Sequence, residues 1–287
     1  MPLLVALALI AQVTAVPELR IEAPPELAGV RHRIGSIDPQ RLADIAALTG
    51  LEHPGPPIRV VLADERSEWA GRMPSWIAGL AVGGDLIVLF PARTPGYPHG
   101  SLEDVLRHEI AHVLIARSAG GEPVPRWFHE GLATAAERPW DLRDRTRLIY
   151  ELVTGPRLTL DEIDALFTGD RGAQTRAYAL AQRFVRDLLD EYGEPVAAEM
   201  LAHVGEGVPF EGAFARATGR SLLAAEAEFW ERQRTWTTWF PLLTSGTTLW
   251  IAIMLLALWA VRRRRRKRAA QRRKWEEEEG IDEHTLQ

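Results

Sequence analysis

The chain has 287 residues, enough for one sizeable domain, and its 46% hydrophobic content is that of an ordinary folded protein. It contains no cysteine, which excludes a disulfide framework and any thiolate metal site, so histidines and carboxylates must supply every protein ligand to a metal. The net charge of −5 combines an acidic body with a basic end, where the stretch from Arg262 onward holds ten of the 34 basic residues; an acidic body argues against a nucleic-acid partner.

Leu3 to Ala11 is uninterrupted apolar sequence, and Val13-Thr14-Ala15 offers small residues for cleavage, so residues 1–16 read as a signal peptide. Residues 17–95 mix strand and helix signals. Pro57 to Ala63 and Asp85 to Phe90 are strand-like, Asp38-Pro39 predicts a capped helix start, and Gly83-Gly84 between apolar stretches predicts a hairpin. Residues 96–240 are dominated by helical patterns broken at Gly120, Gly155, Gly172, Gly193 and Gly205. Residues 241–261 lack charge and predict a membrane span of about 31 Å at the rise of an α-helix. Arg262 to Arg268 follows directly, and by the positive-inside rule it places the tail 262–287 in the cytoplasm. The expectation is therefore a single-pass membrane protein whose main domain is extracytoplasmic.

The chemistry is concentrated in His108-Glu109-Ile110-Ala111-His112, inside a helix predicted to start at the Ser101 cap and to end near Ser118. Residues four apart share a helix face, so two imidazoles can bind one metal while Glu109 reaches a water beside it. A second segment, Arg126-Trp127-Phe128-His129-Glu130-Gly131-Leu132-Ala133, follows at a spacing that suits a returning helix, which would bring Glu130 to the same metal. Glu137 and Asp104 are candidates to accept a hydrogen bond from the far ring nitrogen of a ligand histidine.

These two segments resemble the gluzincin metallopeptidases of peptidase clan MA, with their H-E-x-x-H motif followed by W-[LF]-x-E-G-[LF]-A as in aminopeptidase N-like enzymes. The chain looks closest to bacterial peptidase MA-like domains. The resemblance implies one Zn2+ held by His108, His112 and Glu130, with Glu109 as catalytic base, and a peptide or protein as substrate. It departs in two places: His129 replaces the usual Asn and is expected at the pocket rim, and no G-A-M-E-N exopeptidase motif is present.

Similar domains carry a Y-x-x-x-x-x-F-V segment before a Y-G pair, matched by Tyr178, Phe184-Val185 and Tyr192-Gly193. Tyr178 is accordingly expected to donate to the oxyanion, with Arg176 or His203 as alternatives. The Asp85 to Phe90 strand resembles the edge strand above the cleft in these enzymes. The expected fold class is α+β, with a small sheet-bearing subdomain packed on a mainly helical zincin subdomain and one C-terminal transmembrane helix after it. The expected function is membrane-anchored, zinc-dependent peptide hydrolysis, held near the bilayer. The alternative is a catalytically inactive zinc-binding scaffold or substrate-binding module on the membrane surface.

Overall fold

The computed structural model describes residues 16–93, 95, 98–139, 141–244, 250 and 253–264. Four short strands form one sheet: β1 (Leu19–Glu22), β2 (Ile58–Leu62), β3 (Gly79–Val82) and β4 (Leu86–Leu89), in the order β1-β2-β4-β3. β1 and β2 pair in parallel, as do β2 and β4, whereas β3 and β4 are antiparallel. Parallel neighbours need a crossover. Helices α1 (Ala28–Gly35) and α2 (Pro39–Leu48) make it between β1 and β2, and α3 (Glu68–Arg72) lies between β2 and β3.

The expected cap is present on α2, where the Asp38 side chain accepts from Gln40 N at 2.9 Å. In β4, Ile87, Val88 and Leu89 are all buried, as a strand covered on both faces requires. The β3–β4 hairpin turns at Gly83, whose φ of 63° suits glycine. Because β3 folds back outside β4, the edges of the sheet are β1 and β3, and β3 is the edge in contact with α4. The Asp85 to Phe90 run lies between two neighbours and is not the edge strand expected from its position ahead of the histidine motif.

Among the described residues there follow α4 (Leu102–Ser118), α5 (Arg126–Glu137), α6 (Leu142–Thr154), α7 (Leu160–Leu166), α8 (Arg171–Tyr192), α9 (Pro195–Gly205), α10 (Phe210–Thr218) and α11 (Leu222–Thr244), with a further helical stretch at 253–264. Several of their starts are set by short polar side chains. Ser101, Thr159 and Asp170 each accept from a backbone N–H of the first turn, and Asp141 and Asp144 form a reciprocal capping box. α4 is buried around most of its circumference, in contact with β3, α2, α5 and α9, while α5 is packed between α4 and α8.

The α5–α8 contact is tight because Gly131 has no side chain. A Cβ there would stand 2.7 Å from both the carbonyl oxygen of Ala181 and Val185 Cγ2. Gly131→Ala should therefore destabilise the fold by about 1–3 kcal/mol through overpacking, read as a lower urea midpoint at unchanged m-value. An unchanged midpoint would show that α8 yields without cost.

The architecture corrects the expected α+β class on two counts. It is a mixed α/β arrangement, mostly helical with a small sheet, and no boundary separates a sheet subdomain from a helical one. Ile58, Val60 and Ile87 of the sheet share one apolar core with Leu106 and Ile110 of α4, Trp127 of α5, Leu180 of α8 and Phe214 of α10. The chain divides into two compact units, residues 1–231 and 232–287.

The second correction concerns the membrane. Among the described residues no helix is long and apolar enough to cross one. The α11 helix carries Glu226, Glu228, Glu231, Arg232 and Arg234, and the helical stretch 253–264 would reach only about 18 Å. Residues 245–249 and 251–252 of the expected span lie outside the described residues. The expected C-terminal transmembrane helix and the single-pass placement built on it are corrected accordingly, and the membrane as a partner has no support among the described residues. The expected signal peptide lies almost entirely in residues 1–15, outside the described residues, as does the tail beyond residue 264.

Candidate metal centre

The helical spacing of α4 does what the motif requires. His108 and His112 stand one turn apart with ring centroids 4.5 Å from each other, at an interplanar angle of 85°. α5 brings up Glu130, whose Oε2 lies 3.4 Å from His108 Nε2 and 3.5 Å from His112 Nε2. These three residues form a group whose ligand atoms all lie within 4.8 Å of one another and could hold a metal ion. A tetrahedral ion with bonds of about 2.0–2.1 Å needs ligand atoms roughly 3.3–3.4 Å apart. The two separations to Glu130 meet that requirement. Glu130 Oε2 is also buried without a hydrogen-bond partner, an expensive condition that a cation would relieve.

Glu130 is placed by two features that lie away from the motif. Pro125, at the start of α5, has no side chain able to cap a helix; the Asp164 carboxylate of α7 instead accepts from Arg126 N at 3.0 Å and also from Trp127 N. Gly131 then allows α5 to settle against α8. Asp164 was not legible as a site residue, because capping from another helix leaves no local sequence pattern.

Behind these three residues lies Glu137, two turns beyond Glu130 on α5. Its Oε2 is 3.3 Å from His108 Nδ1, close but off the line of an ideal hydrogen bond, and 2.9 Å from His99 Nδ1. Of the two candidate carboxylates, Glu137 is thus the one beside His108. Asp104 pairs with Arg107 and accepts from Gly100 N. Burial opposes charge on Glu137, but the close approach of His108 and the hydrogen bond and Coulomb attraction of His99 hold its pKa down at about 2. Burial likewise disfavours a charged His108, yet Glu130 and Glu137 outweigh it and raise the imidazole to about 10. The pocket's negative charge strongly favours a cation at this position. His99 was missed at the sequence level because nothing in its spacing ties it to the motif.

Glu109 lies in the wall of the same cleft and makes no hydrogen bond or ion pair with the described residues. Gly79 on β3 gives it room, since a Cβ there would come within 3.1 Å of Glu109 Oε1. His129 stacks on His112, with centroids 4.5 Å apart and planes 9° from parallel, and lines the cleft outside the ligand group. Its burial, and then its proximity to His112, lower its pKa to about 3.

Tyr178 also lines the cleft, its ring 6.4 Å from that of His108 and 5.1 Å from that of Phe167. Burial, reinforced by the charges of Glu130 and Glu109, pushes its pKa well above the usual tyrosine value, so it stays a hydroxyl donor. The alternatives point elsewhere: Arg176 donates to Pro156 O, and His203 on α9 faces Glu206 at 3.2 Å.

The cleft encloses about 640 Å³ between β3, α4, the start of α5 and the first turns of α8. A further hollow of about 250 Å³ adjoins it, sharing Ala116, Arg126, His129 and Glu130. An N2O donor set beside a carboxylate and a hydroxyl donor, in one cleft, can activate water against a carbonyl.

A family model described as Peptidase MA superfamily matches residues 38–235, most of the chain, and the chain belongs to that superfamily. No curated protein matches it.

Proposed function

We propose that this member of the Peptidase MA superfamily is a gluzincin-type zinc metallopeptidase that hydrolyses peptide bonds in peptide or protein substrates. The observation that carries this reading is the convergence of His108 Nε2 and His112 Nε2 on Glu130 Oε2, at 3.4 and 3.5 Å, in a cleft that Glu109 also lines. His108, His112 and Glu130 would hold one Zn2+. Zinc held there supplies Lewis acidity, which acidifies water and polarises a carbonyl.

The protein's own groups do the rest. Glu109 takes a proton from the attacking water as the oxygen–carbon bond forms, then delivers it to the departing amine as the carbon–nitrogen bond breaks. Tyr178 donates its hydroxyl to the developing oxyanion, a role that its raised pKa protects. Glu137 orients His108 through the opposite ring nitrogen.

The first test uses the full chain and an unfolded protein substrate. Cleavage should disappear on treatment with a strong chelator and return with stoichiometric zinc. Cleavage that persists through exhaustive chelation would refute a metal-dependent mechanism.

A further inference from the structure

Trp76 lines the cleft yet is 61% exposed, uncommon for a side chain of that size. Its backbone is held firmly. Arg93, only 8% exposed, donates through Nη1 to the carbonyls of Pro74 and Ile77, each at 2.9 Å, and so fastens the chain on both sides of Trp76. The guanidinium is itself fixed by Glu65 at 2.8 Å and packed 3.9 Å over the Phe90 ring, while Ile77 N closes the turn on Pro74 O at 3.1 Å. A buried guanidinium is costly unless its donors are used. Here they fix a turn whose outward side chain is an uncovered indole.

Two further observations bear on what the indole takes. Trp76 stands three residues ahead of β3, the edge strand that lines the cleft, whose backbone can pair with an extended chain. The cleft wall from Pro74 to Gly83 also presents no charged lining residue, whereas the α5 and α8 side carries Arg126 and Arg171. A rigidly presented aromatic surface loses little entropy on binding, and tryptophan is enriched among residues that dominate binding energy.

We infer that Trp76 is the specificity-determining residue of the cleft, receiving a large apolar side chain, aromatic in preference, from a substrate lying along β3. The inference rests on the peptidase reading, and its test separates the two. Peptides of one length, varied at every position, are assayed for cleavage by the full chain and for binding to its Glu109→Gln variant. Wild type should prefer Phe over Ala at one position near the cleaved bond by about 10–100-fold in kcat/KM. Trp76→Ala should bring that ratio to within about threefold, and Trp76→Phe should retain most of it. The same loss of discrimination should appear in binding by Glu109→Gln/Trp76→Ala. An absent preference, or one that survives Trp76→Ala, overturns the inference. Discrimination in binding by a chain that cleaves nothing supports the role of Trp76 while refuting the peptidase reading alone.

Discussion

Glu109→Gln should lower kcat by about 10³-fold, within the range that a positioned acid–base group contributes, and leave bound zinc at one ion per chain. The amide keeps the shape of the side chain and cannot take a proton. Glu109 makes no ion pair or hydrogen bond with the described residues, so the exchange breaks nothing that holds α4 in place. The measurement is single-turnover hydrolysis of an unfolded protein beside metal analysis of the same preparation. Activity within tenfold of wild type, with zinc retained, would remove Glu109 from the mechanism. Loss of zinc along with activity would move it from proton transfer to metal binding.

Glu130→Gln should act on the metal itself. Replacing a buried carboxylate ligand with a neutral amide removes the charge that balances the cation, and the loss in affinity should exceed the roughly 10–100-fold that losing a supporting hydrogen bond costs. The readout is thermal: wild type at a free zinc concentration of about 100 times its Kd should gain roughly 2.7 kcal/mol of stability, and the variant at that same concentration should gain almost none. An equal zinc-dependent rise in Tm for both proteins would exclude Glu130 as a ligand. The variant should remain folded without zinc, because the core beneath the site is built from Leu106, Ile110, Trp127 and Phe128 and needs no ion.

The motif residues were legible because their geometry is local. Helical periodicity alone places His108 and His112 on one face, and the Ser101 cap and the end near Ser118 are set by neighbouring residues. Glu130 was legible through its spacing and through the company of Trp127 and Gly131. The groups that position these residues were harder to see, since each acts from another part of the chain. Asp164 caps α5 across 37 and 38 residues, and His99 reaches Glu137 across 38.

The edge strand was misplaced for a related reason. Leu86 to Leu89 is the more strongly apolar run, and burial on both faces is what makes it so, whereas Gly79 to Val82 reads weakly because it is only half covered. The uncharged 241–261 stretch satisfied a hydropathy rule over its length, but the helices described there are either charged or too short.

The cap on α5 also bears on the order in which this molecule can be assembled. Both histidines and Glu130 precede Asp164, and the two N–H groups at the start of the Glu130 helix find their acceptor only in α7. During synthesis, therefore, the ribosome releases His108, His112 and Glu130 before it releases the residue that anchors the helix carrying Glu130.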